Sequence, residues 1–478
     1  MPWLHWGVIA IVLPLAGAMS CFLWPRRAIP LGLVTALGIV ACVAGLGWQL
    51  VEQGAQRYVV GGWGAPLGID LYADGLSLLM LMATAAVGLG VSIYSIGYFN
   101  REKARYFWPL WMFLWAALNA LFLSADIFNL YVTLELLGLA AVALVALAGG
   151  AEALTGAMRY LLVSLLGSLF YLLGVALLYH SSGSVDIAIL AARVESSPAV
   201  WAAVGLISAG LLLKTALFPL HFWLPSTHAS APAPVSALLS ALVVKASFYI
   251  LLRLWLEIFP PTSAVLGQLL ALLGAAAVLW GGLQALRQTR LKMLIAYSTV
   301  AQLGYLFLAF PLASITGWTG ALYMLLSHAV AKTAIFMAVG NILYFGGHDR
   351  IADLDRVVQR LPLTVTAFAL AGASIMGLPP SGGFIAKWLL LEAAIRSGQW
   401  WWGGILILGG LLSAAWVFKV VGYAFTRSRA PHESRAVPVG MEWSALAMSM
   451  VAILLGLFAS WPLALMEIGL PFGGKGAE

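Results

Sequence analysis

The sequence predicts an all-α polytopic membrane protein of about fourteen transmembrane helices, and three observations carry that prediction. Hydrophobic residues make up 62% of the 478 positions and charged residues only 9%, against roughly 25% charged in soluble domains. Apolar segments of about 20 residues follow one another, each long enough to cross roughly 30 Å of hydrocarbon as a helix. No polar insert between them is long enough to house a soluble domain, so residues 1–478 form a single membrane domain.

In chain order the predicted spans are 3–24, 28–50, 71–97, 108–124, 126–148, 157–180, 199–218, 233–257, 264–286, 291–311, 317–345, 362–397, 401–425 and 441–466. The first lacks a basic start and is too long for a signal h-region, so it is expected to be a retained span. Cys21 and Cys42 fall inside apolar runs with no CxxC spacing and behave as small hydrophobes. The span 362–397 is interrupted by MGLPPSGGF, which predicts one crossing built from two half-helices. Residues 350–360 (RIADLDRVVQR) have the pattern of a short amphipathic surface helix. Tryptophans at 3, 24, 48, 63 and 400–402 gather near span ends, as interfacial belts do.

The connections set the topology. Alternate loops hold Arg26 and Arg27; Arg101, Lys103 and Arg105; Arg159; Arg287, Arg290 and Lys292; Arg350, Arg356 and Arg360; and Arg427, Arg429 and Arg435. The opposite side carries only Arg57, Arg193, Arg396 and Lys475, with Arg253 nearby. The positive-inside rule puts the first group in the cytoplasm and both termini outside. The net charge of +7 is spread over these loops and is no nucleic-acid signal.

Five lysines, Lys214, Lys245, Lys332, Lys387 and Lys419, fall inside predicted spans. A charge near the bilayer centre costs about 2.5–3.5 kcal/mol on insertion scales, so each needs a polar cavity, a partner or a route to the interface. Lys419 lies within two turns of a span end, where snorkelling explains it. The other four are flanked by apolar sequence or by a helix break. Glu135 is the one carboxylate deep in a span; beside a lysine it stays ionised and holds that lysine charged. Lys214 is the expected partner. Asp126 and Glu392 sit nearer the edge, where interfacial caps and path residues are equally expected.

His328 and Lys332 are four apart and share one helix face; histidine relays protons through two nitrogens, although a satisfied structural histidine is the alternative. His221 and His228 lie in a proline-broken segment at the cytoplasmic side, placed either to relay a proton at a channel mouth or to bond loose backbone. There is no GxxxxGK[ST] loop, no GxGxxG after a strand, no metal-spaced Cys/His set and no haem-binding histidine pair. No cofactor, metal or catalytic centre is expected in this chain. Proline breaks the sequence after Lys214, and proline with glycine breaks it before Lys387, five spans further on. Paired interruptions in helices of opposite direction point to inverted repeats around a transport site.

The run KTALFPLHFWLPSTHASAPAPVSALLSALVVKA closely resembles the signature of antiporter-like subunits shared by respiratory complex I, Mrp-type cation/proton antiporters and membrane-bound hydrogenases. SADIFNLYVTLELLGL, RLKMLIAYSTVAQLGY, HAVAKTAIFMAVGNI and GLPPSGGFIAKW extend the likeness over residues 70–400, and VGGWGAPLGIDLYADGLSLLM resembles the D subunit of Mrp antiporters in particular. The resemblance implies fourteen helices with two inverted five-helix repeats, 108–257 and 264–425, each with a broken helix, the seventh and the twelfth. It implies Glu135 and Lys214 as a pair, Lys245 as central relay, His328 and Lys332 as further relays, and Lys387 in the second broken helix. The implied function is proton translocation in a multisubunit cation (sodium)/proton antiporter, with other membrane subunits as partners. The alternatives are a proton-pumping subunit of a complex I-like or hydrogenase complex, a structural subunit with relic lysines, and a quinone-active membrane enzyme. The absence of a long lateral helix after the fourteenth span disfavours the distal complex I subunit.

Overall fold

The computed structural model describes residues 5–259, 264–428 and 435–469; Trp3, Arg429 and Lys475 lie outside them. The first crossings are α1 (Trp6–Leu23), α2 (Ala28–Gln53), α3 (Gly75–Tyr98), α4 (Arg101–Leu123), α5 (Ile127–Ala146) and α6 (Gly150–Ser182). A hairpin of β1 (Gln56–Val59) and β2 (Asp70–Ala73) follows α2, and the short α7 (Ile187–Arg193) follows α6. Next come α8 (Pro198–Thr215), α9 (Leu224–Ser230), α10 (Ala233–Leu238) and α11 (Val244–Glu257). The remainder is α12 (Ala264–Arg287), α13 (Leu291–Phe307), α14 (Ala309–Leu312), α15 (Ile315–Gly346), α16 (Val357–Arg360), α17 (Pro362–Met376), α18 (Gly382–Arg396), α19 (Trp400–Phe425), α20 (Val439–Leu457) and α21 (Ser460–Met466). Among the described residues 13 helices are long and apolar enough to cross a membrane. The broken pair α17–α18 supplies a further crossing, in line with the fourteen predicted spans.

Polar side chains start these helices where the sequence turns apolar. Asp74 and Ser77 form a reciprocal capping box at α3; Asn100, Asp126, Ser197, Ser314 and Ser381 cap α4, α5, α8, α15 and α18. Asp126 is therefore a cap. Glu392 pairs with Arg396 one turn on, at 2.6 Å. The hairpin defines one membrane end: Arg57 donates to Asp70 at 2.8 Å and to Asp186, and α1, α3 and α5 all begin beside it. The loops rich in arginine define the other end.

Burial is greatest in α10–α11 and α15, whose apolar windows are wholly enclosed, whereas α1, α2, α19 and α20 leave most of theirs on the outside. A helix apolar all round and buried all round belongs at the centre of a bundle. The lysines at 245 and 332 lie on these two central helices.

Three expectations need correction. The seventh crossing does not end at 218: α9 completes it, and Thr227 Oγ1 there donates to Gly156 O in the first turns of α6. The proline break therefore lies inside the membrane and not at the cytoplasmic end. Residues 350–360 are not one helix; a 3-10 turn and the four-residue α16 are separated by Asp355 and Arg356, both left-handed at φ 40 and 51. Of the tryptophans near span ends, Trp402 is buried, while Trp24, Trp48, Trp63 and Trp400 are exposed.

Candidate functional site: a buried polar file

At the first break α8 stops because Ala216 turns left-handed, φ 58, just before Pro219. Lys214 sits in the last helical turn, where its ammonium also faces the negative end of the helix. Its Nζ donates to Ser164 Oγ on α6 at 2.9 Å and to Glu135 Oε1 on α5 at 3.3 Å. Two glycines make this possible: a Cβ on Gly210 would lie 2.3 Å from Gly167 O, so α8 and α6 approach at backbone contact. The Lys214 side chain is 6% exposed and that of Glu135 19%. Buried this deeply, the pair is held by mutual attraction against desolvation, and removing either member strands the other.

The file continues through hydroxyls. Thr215 Oγ1 donates to Ser247 Oγ at 3.0 Å, linking α8 to α11. A cavity of about 10 Å³ is lined by Lys214, Ser164, Tyr160 and Ser247, about the size that admits one water. Lys245, 0% exposed, finds its partners in its own helix. Residues Leu239–Val243 form a π-helical turn, and Nζ donates to Ser240 O at 2.7 Å and Ala241 O at 2.9 Å. A π turn loosens the regular carbonyl pairing and exposes acceptors inside a helix. Ser240 Oγ in turn meets Thr299 Oγ1 at 2.9 Å, and Thr299 donates to Ile295 O. Lys332 reaches the same carbonyl at 2.9 Å and also Ser298 Oγ. Lys245 and Lys332 thus bind neighbouring groups of the π turn and α13, with the Ser240–Thr299 hydroxyl contact between them.

At the second break Gly377 is left-handed at φ 85, and α18 begins after the proline pair with Ser381 as cap. Lys387 reaches back across the gap: its Nζ donates to Ile375 O at 2.9 Å and Met376 O at 3.0 Å, the last carbonyls of α17. These carbonyls have no helical donor of their own, so the lysine caps the half-helix. It also lies 4.8 Å from the Tyr305 ring centre.

His328 sits between the two lysine groups, within electrostatic reach of Lys245, Lys332 and Lys387. Its Nε2 is buried with no protein partner among the described residues. His228, offered by the sequence either as a relay at a channel mouth or as a bond to loose backbone, is fully buried and stacked on Phe336 at 5.5 Å, with neither ring nitrogen bonded among the described residues. His221 is also buried, beside Phe218 and Tyr297. Neither histidine stands at the surface: His221 precedes α9 and His228 lies within it, and both are packed against neighbouring helices. Lys292, which the sequence places in a cytoplasmic loop, is buried and donates to Ala231 O at the end of α9. It and His228 share one electrostatic neighbourhood with Lys245 and Lys332. Lys419 donates to Leu286 O and Gln288 O at 2.7 and 2.8 Å, capping the end of α12.

Residues 124–414 match the family described as NADH:quinone oxidoreductase/Mrp antiporter, TM, and residues 63–107 match the complex I chain 5 N-terminus. The chain belongs to the NADH:quinone oxidoreductase/Mrp antiporter family. The matched region holds every residue of the file from Glu135 to Lys387. Among relatives, the NADH-quinone oxidoreductase subunit N of Desulforudis audaxviator is 35% identical over 95% of this chain and 96% of its own length. The D subunit of the Na(+)/H(+) antiporter of Bacillus subtilis is 28% identical over 95% of this chain and 94% of its own. A chain of the Mrp complex from Dietzia superposes with a TM-score of 0.90 at 24% identity, covering 98% of both chains; at that identity the likeness speaks for the fold. The antiporter-family membrane architecture expected from sequence holds.

Proposed function

We propose that this chain is the proton-translocating subunit of a multisubunit membrane antiporter of the Mrp type, exchanging a cation such as sodium for protons. The observation that carries it is the row of enclosed lysines, Lys214, Lys245, Lys332 and Lys387, each bound to a carboxylate, hydroxyl or helix carbonyl, with hydroxyl contacts bridging α8 to α11 and the π turn to α13. A lysine buried in hydrocarbon shifts its proton affinity when a nearby charge moves. Opening the Glu135–Lys214 pair frees Lys214 to release its proton toward Lys245; His328 and Lys332 take it on, and Lys387 passes it out. The broken α8 and α17 enter from opposite membrane ends, which supports two inverted five-helix repeats, 108–257 and 264–425. Basic loops support a cytoplasmic arginine end and both termini outside the cell membrane. Glu135 lies on α5 beside the exposed Val132, Leu136 and Leu139, a face suited to a neighbouring membrane subunit that would act on the pair.

The 35% identity to an NADH-quinone oxidoreductase subunit favours a second reading, in which the same file serves a redox-driven pump. Purifying the intact complex and reconstituting it separates them. Proton movement driven by a sodium gradient supports the antiporter; movement driven only by electron transfer to a quinone or another acceptor supports the pump. In either assembly Lys214→Ala and Glu135→Ala abolish coupled proton flux while the subunit still assembles. Full flux in both variants refutes the assignment.

A further inference from the structure

α11 carries two buried cations, Lys245 and Arg253, two turns apart, and only the first belongs to the file. Arg253 is 2% exposed, and its donors are committed: Nε to Tyr249 Oη at 3.0 Å, Nη1 to Glu257 at 2.8 Å, and Nη2 to both oxygens of Asp74 at 2.9 and 3.0 Å. A cavity of about 310 Å³ lies against it at the hairpin end, lined by Arg57, Tyr72, Asp74, Ser124, Arg253 and Glu257. Ala125, Ile187 and Ala188 complete the wall, so charged groups gather on the Arg253 side of a cavity that is otherwise apolar and large enough to hold water. On the other side of Arg253 stands Tyr249, fully buried, its hydroxyl donating to Phe122 O at 2.7 Å. Beyond it is Lys245, whose ammonium is aimed toward Ser240 and Ala241, away from the cavity. Two side chains, Arg253 and Tyr249, therefore stand between this vestibule and the central lysine.

We infer that Arg253 and Tyr249 form a proton-inert seal that keeps the vestibule at the hairpin end from short-circuiting Lys245. A group relays a proton only if it can both lose and regain one. Arginine does not deprotonate in proteins, and the Tyr249 hydroxyl is locked between a carbonyl it donates to and the guanidinium it accepts from. Asp74 and Glu257 neutralise Arg253 and hold it across the opening. Lysine in the same place would not seal, because a buried ammonium gives up its proton readily. The choice of arginine at 253 beside lysine at 245 then separates a barrier from a relay on one helix, and directs the proton sideways toward Lys387.

The inference rests on the proton-path reading, and its test keeps the two apart. The intact complex is reconstituted in liposomes with no driving reaction, and the decay of an imposed pH gradient is followed with the membrane potential clamped by potassium and valinomycin. The seal predicts that Arg253→Lys speeds the decay by about tenfold or more, since a charge retained without the inert guanidinium still passes protons. Adding Lys245→Ala to that variant restores tight liposomes, because the leak runs through Lys245. Asp74→Asn keeps the guanidinium, an amide oxygen to accept from Nη2, and the bonds to Tyr249 and Glu257, and so stays tight; a role resting on the Asp74 charge alone would make it leak as Arg253→Lys does. Should Arg253→Lys fail to assemble, Tyr249→Ser opens the same route and is subject to the same rescue by Lys245→Ala. Tight Arg253→Lys or Tyr249→Ser liposomes, or a leak that survives Lys245→Ala, overturn the seal. Coupled flux that survives Lys245→Ala alone overturns the path reading instead.

Discussion

The two helix breaks solve one problem in two ways. At the first, Lys214 is paired with a carboxylate on another helix, Glu135, at 3.3 Å. At the second, Lys387 has no carboxylate partner among the described residues and is bound by the terminal carbonyls of α17 across its own break. A carboxylate on a separate helix can move, be neutralised or respond to a neighbour. Helix carbonyls are fixed in direction and strength by the backbone. The first site is built to switch and the second to hold a constant polarity, which suits entry and exit from a directed path.

The sharpest way to break this comparison is to remove carboxylates at both ends. Glu135→Gln is expected to cut coupled proton flux by about tenfold or more, since an unpaired buried lysine loses several kcal/mol of support for its charge. Glu392→Gln on α18, whose carboxylate pairs with Arg396, is expected to leave flux within about twofold. Flux measurements on reconstituted complex decide; equal losses would erase the distinction between the breaks.

A second contrast concerns assembly. Lys387→Met leaves the α17 carbonyls without their donor, at about 1–3 kcal/mol for a buried acceptor, so less subunit should be recovered in the purified complex. Lys214→Met leaves Glu135, whose side chain is 19% exposed, in contact with its surroundings rather than sealed in, with a smaller loss of recovery. The order of recovery on a calibrated gel checks this.

Backbone substitutions sharpen it further. Gly377 is left-handed, and a Cβ there would lie 2.7 Å from Lys387 Cδ; Gly377→Ala should destabilise by about 1–2 kcal/mol. Ala216 holds a similar conformation with a Cβ already present, so Ala216→Gly should relieve strain by up to about 1 kcal/mol. Thermal unfolding of the purified complex should move in opposite directions for the two. The smallest effect is expected from Lys419→Met, which removes the α12 cap, costs about 0.5–1 kcal/mol and leaves flux unchanged.

The spans were legible because a bilayer demands long apolar helices, and the breaks because proline and glycine announce them. Glu135 and Lys214 were legible as a pair because no other carboxylate lies so deep in a predicted span. What stayed hidden depends on geometry that composition does not encode. The π turn that turns Lys245 back on Ser240 and Ala241 has no residue signature. The seven-residue LPSTHAS of α9 is too short and polar to register as part of a crossing, which is why His228 reads from sequence as a residue of the cytoplasmic side, a mouth relay or a backbone partner alike. Lys292 looked like a loop cation because it falls next to arginines, and only the packing of α13 against α9 buries it. Arg253 and Asp74 are 179 residues apart, and each alone reads as an interfacial charge.

Continuity of the file is the central claim, and its middle member is Lys245, bound to carbonyls alone. Coupled proton flux through the reconstituted complex carrying Lys245→Ala tests it most directly, with assembly verified in parallel. Flux falling to the level of protein-free liposomes, with Lys214 and Lys387 intact on either side, is the predicted result; flux at the wild-type rate would contradict the account.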